Sequence, residues 1–226
     1  MYRGKIRRMR ETVKARRYSS PLRQGQADET RRAILEAARG LFAEQGYAAT
    51  TIARIAGQAG VAVDTIYAAI GPKPVLFRQL METAISGSDQ AIPPDQRDYV
   101  RRIAAEPTAR GKIETYAAAV ALINERMAPL YVVFRDAAAQ APDLARVRQE
   151  ISLRRARNMR EFAGNLLATR EVRPDLDAET IADVVWSMNS PEYYVLLVCE
   201  RRWTRDRFAA WLADAWCRLF LVDEPA

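Results

Sequence analysis

The segment between residues 28 and 74 constrains the fold most strongly, because short helical patterns alternate there with glycine-bearing turns. We predict a first helix with Asp28 as its N-cap, running to about Gln45 and stopped by Gly46. Its apolar residues recur at the spacing of one helical face: Ile34, Leu35, Ala38, Leu41 and Phe42. The pattern predicts an amphipathic helix that packs against whatever follows it.

Two further helices follow at once and are separated by Gly60, which adopts a left-handed turn at little cost. Thr50 or Thr51 can cap the second helix, and the third is predicted over about residues 62–70. Two helices joined by a short glycine turn indicate a helix-turn-helix, in which the later helix enters the major groove of DNA.

The third helix has the right size and an outward face for such a role. Eight or nine residues make a helix of about 12–14 Å, roughly the width of the major groove. Val61, Ile66 and Ile70 are expected to point inward. Lys73 and Thr51, each at a helix start, are expected at phosphates. The predicted DNA contacts are therefore Thr51, Val63, Asp64, Thr65, Tyr67, Ala68 and Lys73.

The net charge of +7 is concentrated at the N-terminus. Residues 1–24 contain nine basic residues and one acid, so the remainder of the chain is nearly neutral. We predict a basic, flexible arm over residues 1–27. Such an arm can run along phosphates or enter the minor groove. The alternatives are a solvated tail or a stretch that does not belong to the native protein.

The composition argues against catalysis. The chain has no histidine, no G-x-S-x-G, no P-loop and no metal-ligand spacing, so we expect neither an enzyme nor a metal or cofactor site. Its two cysteines, Cys199 and Cys217, fit reduced thiols in a cytoplasm better than a disulfide framework. The N-terminus lacks the apolar core of a signal peptide, and runs such as Tyr193–Cys199 are too short to span a membrane.

Residues 75–226 read as a second, all-helical domain. A fourth helix is expected from Lys73 to about Ser86, and no stretch alternates as a strand would. Prolines and polar clusters divide the rest into predicted helices at about 96–105, 108–126, 129–140, 143–169, 177–189, 191–201 and 204–221.

The N-terminal pattern resembles the DNA-binding domain of the TetR family of transcriptional regulators. Residues 30–76 carry the resemblance, which covers about a fifth of the chain. The matching positions are Thr30, Ile34, Leu35, Ala37, Ala38, Leu41, Phe42, Gly46, Tyr47, Thr51, Ile55, Ala56, Ala59, Gly60, Val61, Thr65, Ile66, Tyr67, Lys73 and Leu76. The resemblance implies an Ω-shaped homodimer, with a DNA-binding domain followed by a helical domain for ligand binding and dimerisation.

An interior ligand site is expected in that second domain. Aromatic residues that could line it are Tyr99 and Tyr194 and, in our candidate set, Tyr116, Tyr131, Phe134, Phe162, Trp186 and Tyr193. Polar residues near apolar faces that could orient a ligand are Asn124, Asn158, Asn165, Asn189 and Glu192. Each aromatic residue also fits ordinary core packing. The basic run Arg154-Arg155-x-Arg157 is interpreted as a solvated face.

The resemblance places the dimer interface on the last two long helices. The candidate interface residues are Val184, Met188, Phe208, Trp211, Leu212, Ala215, Trp216 and Leu219. Aromatic enrichment is typical of such interfaces, although the same stripe also fits an intramolecular core.

These expectations combine into a functional hypothesis. The chain is expected to be a repressor that leaves a palindromic DNA operator when a small-molecule effector, of a kind the sequence does not specify, binds the C-terminal domain. The third helix has no Lys or Arg and presents Asp64. The alternative is therefore a helical interaction protein with a vestigial DNA reader.

Overall fold

The computed structural model describes residues 21–88, 92–139 and 141–222, and helices dominate this part of the chain. The helices are α1 Pro21–Ala49, α2 Ile52–Ala59, α3 Val63–Ala69, α4 Lys73–Ser86, α5 Asp98–Ala105, α6 Ala109–Ala138, α7 Pro142–Leu167, α8 Ala178–Met188, α9 Pro191–Tyr194 and α10 Arg205–Phe220. A 3₁₀ turn precedes α5 at Pro94–Gln96, and a π-helical stretch, Val195–Glu200, extends α9. The all-α class is confirmed.

The first helix differs from its predicted bounds at both ends. It begins at Pro21, well before Asp28, so Asp28 is an interior residue and not the N-cap. Proline is favoured in a first helical turn, and nothing after Pro21 breaks the helix. Gly46 adopts φ 76° and ψ 173°, which interrupts helical geometry as expected, but a further turn follows to Ala49. Residues 1–20, which contain most of the predicted basic arm, lie outside the described residues.

One long helix, α6, replaces the two predicted around residue 129. Pro129 lies inside α6 with its ring exposed to solvent. An interior proline costs a helix about 3 kcal/mol. The neighbouring residues Met127, Ala128, Leu130 and Tyr131 are all buried, so packing on both sides of the proline holds the helix together.

Helix α6 lies at the centre of the fold. It contacts α1, α4, α5, α7, α9 and α10. By length and composition alone it is apolar enough to cross a membrane, which the sequence analysis did not anticipate. More than half of its most apolar stretch is buried against the other helices, so its apolar character is accounted for by the core.

Two hydrophobic clusters share this helix. The N-terminal cluster joins α1–α4 to the C-terminal half of α6, where Phe134 stacks on Phe77 with ring centroids 5.4 Å apart. The second cluster joins the N-terminal half of α6 to α5 and α7–α10. Tyr116 of α6 stacks on Trp216 of α10 there, at 5.7 Å. Helices α1–α4 are thus packed directly onto the second domain.

The position of α10 corrects three of the candidate interface residues. Phe208, Leu212 and Trp216 have 0% exposed surface within a single chain. The bulky stripe of α10 faces α6, because that is the nearest apolar surface long enough to cover it. The structure therefore assigns these three residues to the protomer's own core.

We predict that Trp216→Ala destabilises the isolated protomer by about 3–5 kcal/mol, because it leaves a cavity beside Tyr116. Urea unfolding followed by circular dichroism measures the loss. Arg218→Ala, at an exposed position of the same helix, is the matched control and should change stability by less than about 0.5 kcal/mol. A stable Trp216→Ala protomer would contradict the core assignment.

Candidate DNA-binding site and interior cavity

Short-range capping sets the geometry of the two small helices. The Thr51 hydroxyl accepts a hydrogen bond from the Arg54 amide at 3.2 Å, so Thr51 is the N-cap of α2. Gly60 ends α2 with φ 67° and ψ 31°, the left-handed conformation that glycine adopts most readily. Ile66 is fully buried and anchors α3 in the N-terminal cluster. The turn and this anchor fix which face of α3 points outward.

The outward face of α3 is apolar and aromatic with one acid. Tyr67 is 52% exposed and Val63 is 37% exposed, and Asp64 and Ala68 are also exposed. Thr65 is half-buried. These residues can contact thymine methyl groups, a cytosine amino group through Asp64, and a phosphate through the Tyr67 hydroxyl.

Lys73 makes hydrogen bonds within the protein that its expected phosphate contact did not include. Its Nζ donates to the carbonyl oxygens of Tyr47 at 2.7 Å and Thr50 at 2.8 Å, and it lies 4.1 Å from the centroid of the Tyr47 ring. Burial lowers the pKa of Lys73 from its ordinary value. Two of its three N–H groups are therefore occupied within the protein. The ammonium joins the start of α4 to the link between α1 and α2, and only one donor is left for a phosphate.

Aromatic packing supports the same junction. Tyr47 stacks on Phe42 at 5.5 Å and meets Phe77 edge-on at the same distance. Burial, with a smaller contribution from Asp143, raises the pKa of Tyr47 to about 12. From α1, Arg31 donates to the carbonyl of Ala69 at the end of α3, at 3.0 Å. The outward face of α3 is thus supported by a hydrogen bond from α1 and by ring contacts between α1 and α4.

Arg54 is a candidate contact that the sequence reasoning missed. It is exposed in the first turn of α2, beside Thr51. It is also the only basic residue between Gly40 and Pro72, which was the available signal. An exposed guanidinium beside a helix N-terminus is well suited to a phosphate.

A cavity of about 490 Å³ lies between α4, α5, α6, α7 and α8. Five of the six aromatic candidates line it: Tyr116, Tyr131, Phe134, Phe162 and Trp186. The sixth, Tyr193, lies against α10, where its hydroxyl accepts a hydrogen bond from Trp211 Nε1 at 2.9 Å. Tyr194 packs edge-on against Phe208 in the core, whereas Tyr99 lines the cavity.

All five polar candidates also line this cavity: Asn124, Asn158, Asn165, Asn189 and Glu192. Asn189 Nδ2 donates to the Tyr116 hydroxyl at 2.8 Å, which fixes both side chains in the wall. Burial raises the pKa of Tyr116 well above its ordinary value, so the phenol stays neutral. Within the described ranges, no three His, Cys, Asp or Glu side chains are placed to hold a metal ion.

The basic run on α7 is not a uniformly solvated face. Arg154 and Arg155 are half-buried and line the cavity, whereas Arg157 is exposed. Arg154 donates to Glu82 of α4 at 2.5 Å, and Arg97 lies 4.0 Å from the other oxygen of the same carboxylate. The Arg155 guanidinium lies 4.5 Å from the centroid of the Trp186 ring and donates to the Trp186 carbonyl. Burial lowers the pKa of Arg155.

We predict that Lys73→Met lowers the free energy of unfolding by about 1–3 kcal/mol, because the carbonyls of Tyr47 and Thr50 lose their donor. Thermal or urea unfolding measures the change. Arg54→Ala removes a neighbouring exposed cation and should leave stability within about 0.5 kcal/mol of the parent. Equal effects of the two substitutions would show that Lys73 does not act as this internal link.

The chain is similar to known proteins in one segment of its sequence and in its fold. Residues 34–79 match the model of the bacterial regulatory proteins of the tetR family. No curated protein sequence matches the chain. Three solved structures illustrate the structural likeness.

The first is NalD of Pseudomonas aeruginosa, the secondary repressor of the MexAB-OprM multidrug efflux pump. It is 23% identical with a TM-score of 0.68, over 88% of this chain and 100% of that one. FadR of Bacillus subtilis in complex with stearoyl-CoA is 17% identical with a TM-score of 0.64, over 81% of this chain and 96% of that one. MbdR of Azoarcus sp. CIB is 18% identical with a TM-score of 0.61, over 85% and 100%. At such identities the likeness shows a shared fold. The match to the tetR family model thus covers residues 34–79, and the solved structures show that the rest of the chain shares their fold.

Proposed function

We propose that this protein is a homodimeric, DNA-binding transcriptional repressor that leaves a palindromic operator when a small molecule occupies the cavity. The observation that carries the proposal is a rigidly mounted, exposed α3 face connected by a single helix, α4, to a cavity of drug-like size. As in the sequence analysis, residues 28–74 are assigned to the reader and residues 75–226 to the regulatory domain, and a cytoplasmic location goes with this role.

The proposed DNA contacts fall into two groups. Val63, Asp64, Tyr67 and Ala68 face base edges and carry selectivity, with Thr65 at the margin of the face. Thr51 and Arg54, at the start of α2, contact phosphates and set the register. The charge of the N-terminal arm adds sequence-independent attraction. Lys73 contributes chiefly by holding the reader in shape.

Helix α4 is the proposed route from the cavity to the reader. Its first residue, Lys73, is bonded to the link before α2, and Met81 and Ile85 near its other end line the cavity. Glu82 between them is held by Arg97 and Arg154, which are both lining residues. A molecule that displaces these arginines or the apolar wall moves α4, and with it the reader. NalD as a repressor and FadR bound to stearoyl-CoA support this combination of roles.

A dimer interface is proposed on the outer face of α8 and α10. Trp211 and Leu219 are 42% and 43% exposed, although they are large and apolar. Val184, Met188 and Ala215 are half-buried beside them. A palindromic site requires two readers about one DNA turn apart, which a two-fold dimer supplies. Exposed aromatic and aliphatic side chains on adjacent helices are typical of such contacts.

We expect the purified protein to prefer a palindrome from its own upstream region over random duplex, with affinity falling as salt rises. Tyr67→Ala should weaken that palindrome by about tenfold and leave random duplex almost unchanged. Arg54→Ala should weaken both and reduce the salt slope by about one. Fluorescence anisotropy over a salt series separates the two effects.

The absence of a preference for the palindrome would support the alternative function. If the protein shows no preference for the upstream palindrome at low salt, the reader is vestigial and the chain is a helical interaction protein. Arg218→Ala, far from the reader and exposed on α10, controls for general effects of losing one arginine.

We expect Leu219→Asp to convert the dimer into monomers without unfolding them, because a charge is costly at a buried interface and harmless at an exposed position. Sedimentation velocity measures the change in mass. Leu153→Asp is the matched control, since Leu153 is 55% exposed on α7 and lies outside the proposed interface. A dimer that survives Leu219→Asp but not Leu153→Asp would move the interface to α7.

A further inference from the structure

Unpaired polar atoms are concentrated at the cavity. In the part of the chain that the structure describes, six buried side-chain nitrogen or oxygen atoms have no hydrogen-bond partner. Three of them, Arg155 Nε, Trp186 Nε1 and Asn189 Oδ1, belong to residues that line the cavity. Buried polar atoms are nearly always hydrogen-bonded, so such a cluster needs a physical explanation. A ligand that bonds to all three atoms supplies one.

The two unpaired donors belong to one stacked pair of side chains. The Arg155 guanidinium lies over the Trp186 ring, 4.5 Å from its centroid, and one of its terminal nitrogens donates to the Trp186 carbonyl. The guanidinium is therefore held in place while its buried Nε–H has no hydrogen-bond partner. Two N–H donors without acceptors, one from an arginine and one from an indole on the stacked partner, suit the oxygens of an anion.

The charge of Arg155 is also left uncompensated at short range. The carboxylate of Glu82 is already engaged by Arg97 and Arg154. Glu192 acts on Arg155 only as a charge beyond ion-pair distance, and it also helps to raise the pKa of Tyr131. The other lining acid, Glu161, is exposed. Among the described residues, Arg155 forms no ion pair, and burial lowers its pKa in spite of Glu192. The cavity therefore favours a negative charge at this point.

The remainder of the cavity is apolar and aromatic. Phe134, Phe162 and Tyr131 line it together with Met127 and Ile151. A cation would be repelled by Arg155, which has no acid within ion-pair distance, and a purely apolar molecule would leave all three polar atoms unpaired. A small inorganic anion would leave most of the apolar wall in contact with water.

We propose that the effector of this cavity is an amphipathic oxyanion: a ring-bearing apolar molecule with one carboxylate-like group and a hydrogen-bond donor. The oxyanion accepts from Arg155 Nε and Trp186 Nε1, the donor bonds to Asn189 Oδ1, and the rings lie against the aromatic wall. This assignment rests on the proposed function only in treating the cavity as the effector site.

A pair of fluorescent probes tests the anion requirement. 8-Anilinonaphthalene-1-sulfonate carries an oxyanion, and N-phenyl-1-naphthylamine has the same aromatic body and amine N–H without the charge. The full chain should bind the sulfonate saturably and about tenfold or more tighter than the neutral probe, since a charge-assisted hydrogen bond is worth that factor. Equal affinities, or no saturable sulfonate binding, would overturn the proposal.

Substitutions on α7 and α8 then test which residues bind the sulfonate group. Arg155→Gln should weaken the sulfonate about tenfold and alter the neutral probe by less than about twofold, while Arg155→Lys retains part of the preference. Trp186→Phe, which keeps a ring but removes the N–H, should weaken the sulfonate only. Arg157→Gln, two residues away and exposed, is the matched control and should change neither probe. Unchanged sulfonate binding in both Arg155 variants would contradict the assignment.

Operator binding in the presence of each probe separates this inference from the proposed function. If the sulfonate binds through Arg155 but leaves operator affinity unchanged, the effector chemistry stands and release by ligand fails. If only the neutral probe lowers operator affinity, release by ligand stands and the anion assignment fails. Circular dichroism of every variant confirms that the losses do not reflect unfolding.

Discussion

The structure depends on the burial of one helix, α6, by two groups of helices at once. Its C-terminal half completes the core of the DNA-reading segment, and its N-terminal half completes the core of the second domain. A helix of this length is apolar on several faces, and exposing either half would cost far more than the helix itself gains. Neither core is therefore complete without the other, so a displacement in one is transmitted to the other. Helix α4 begins directly after the α3 segment, packs on α6 and α1, and borders the cavity.

Within the reader, positive charge and the outward surface of α3 are supplied by different residues. Lys73 is one of the few cations near α3, but its ammonium is bonded to Tyr47 and Thr50 inside the protein. The outward face of α3 has no positive charge and one negative charge. In the proposed function, attraction to phosphates therefore comes from Arg54, from helix N-termini and from the basic arm, whereas α3 discriminates between base pairs. Such a division makes the reader selective but weak by itself, and it makes a dimer with two readers important for affinity.

Sequence patterns predicted the structure correctly where it depends on residues that are close together in the chain. The turn at Gly60, the cap at Thr51 and the buried Ile66 depend on neighbours in the chain, and the α2–α3 unit could be predicted from them. The helix boundary at Pro129 could not, because the packing that keeps α6 continuous comes from distant helices. The sequence showed the apolar stripe on α10. Its periodicity does not show whether these residues pack against the same chain or against a second copy. Phe208, Leu212 and Trp216 are covered by the same chain.

Arg155 shows the same limit at the cavity. In the sequence it is one of three arginines on a helix, and such a run is most often solvated. Only the approach of α8, which brings the Trp186 ring and carbonyl against it, turns this residue inward. A half-buried guanidinium without an ion-pair partner is unfavourable, and an anion that pairs with it gains correspondingly more binding free energy. Arg154, the preceding residue, holds Glu82 of α4. An anion bound at Arg155, as we propose, would lie beside the ion pairs of Glu82 and compete with Glu82 for the same positive charge. In this arrangement, recognition of the effector and release of the reader depend on adjacent residues of one helix.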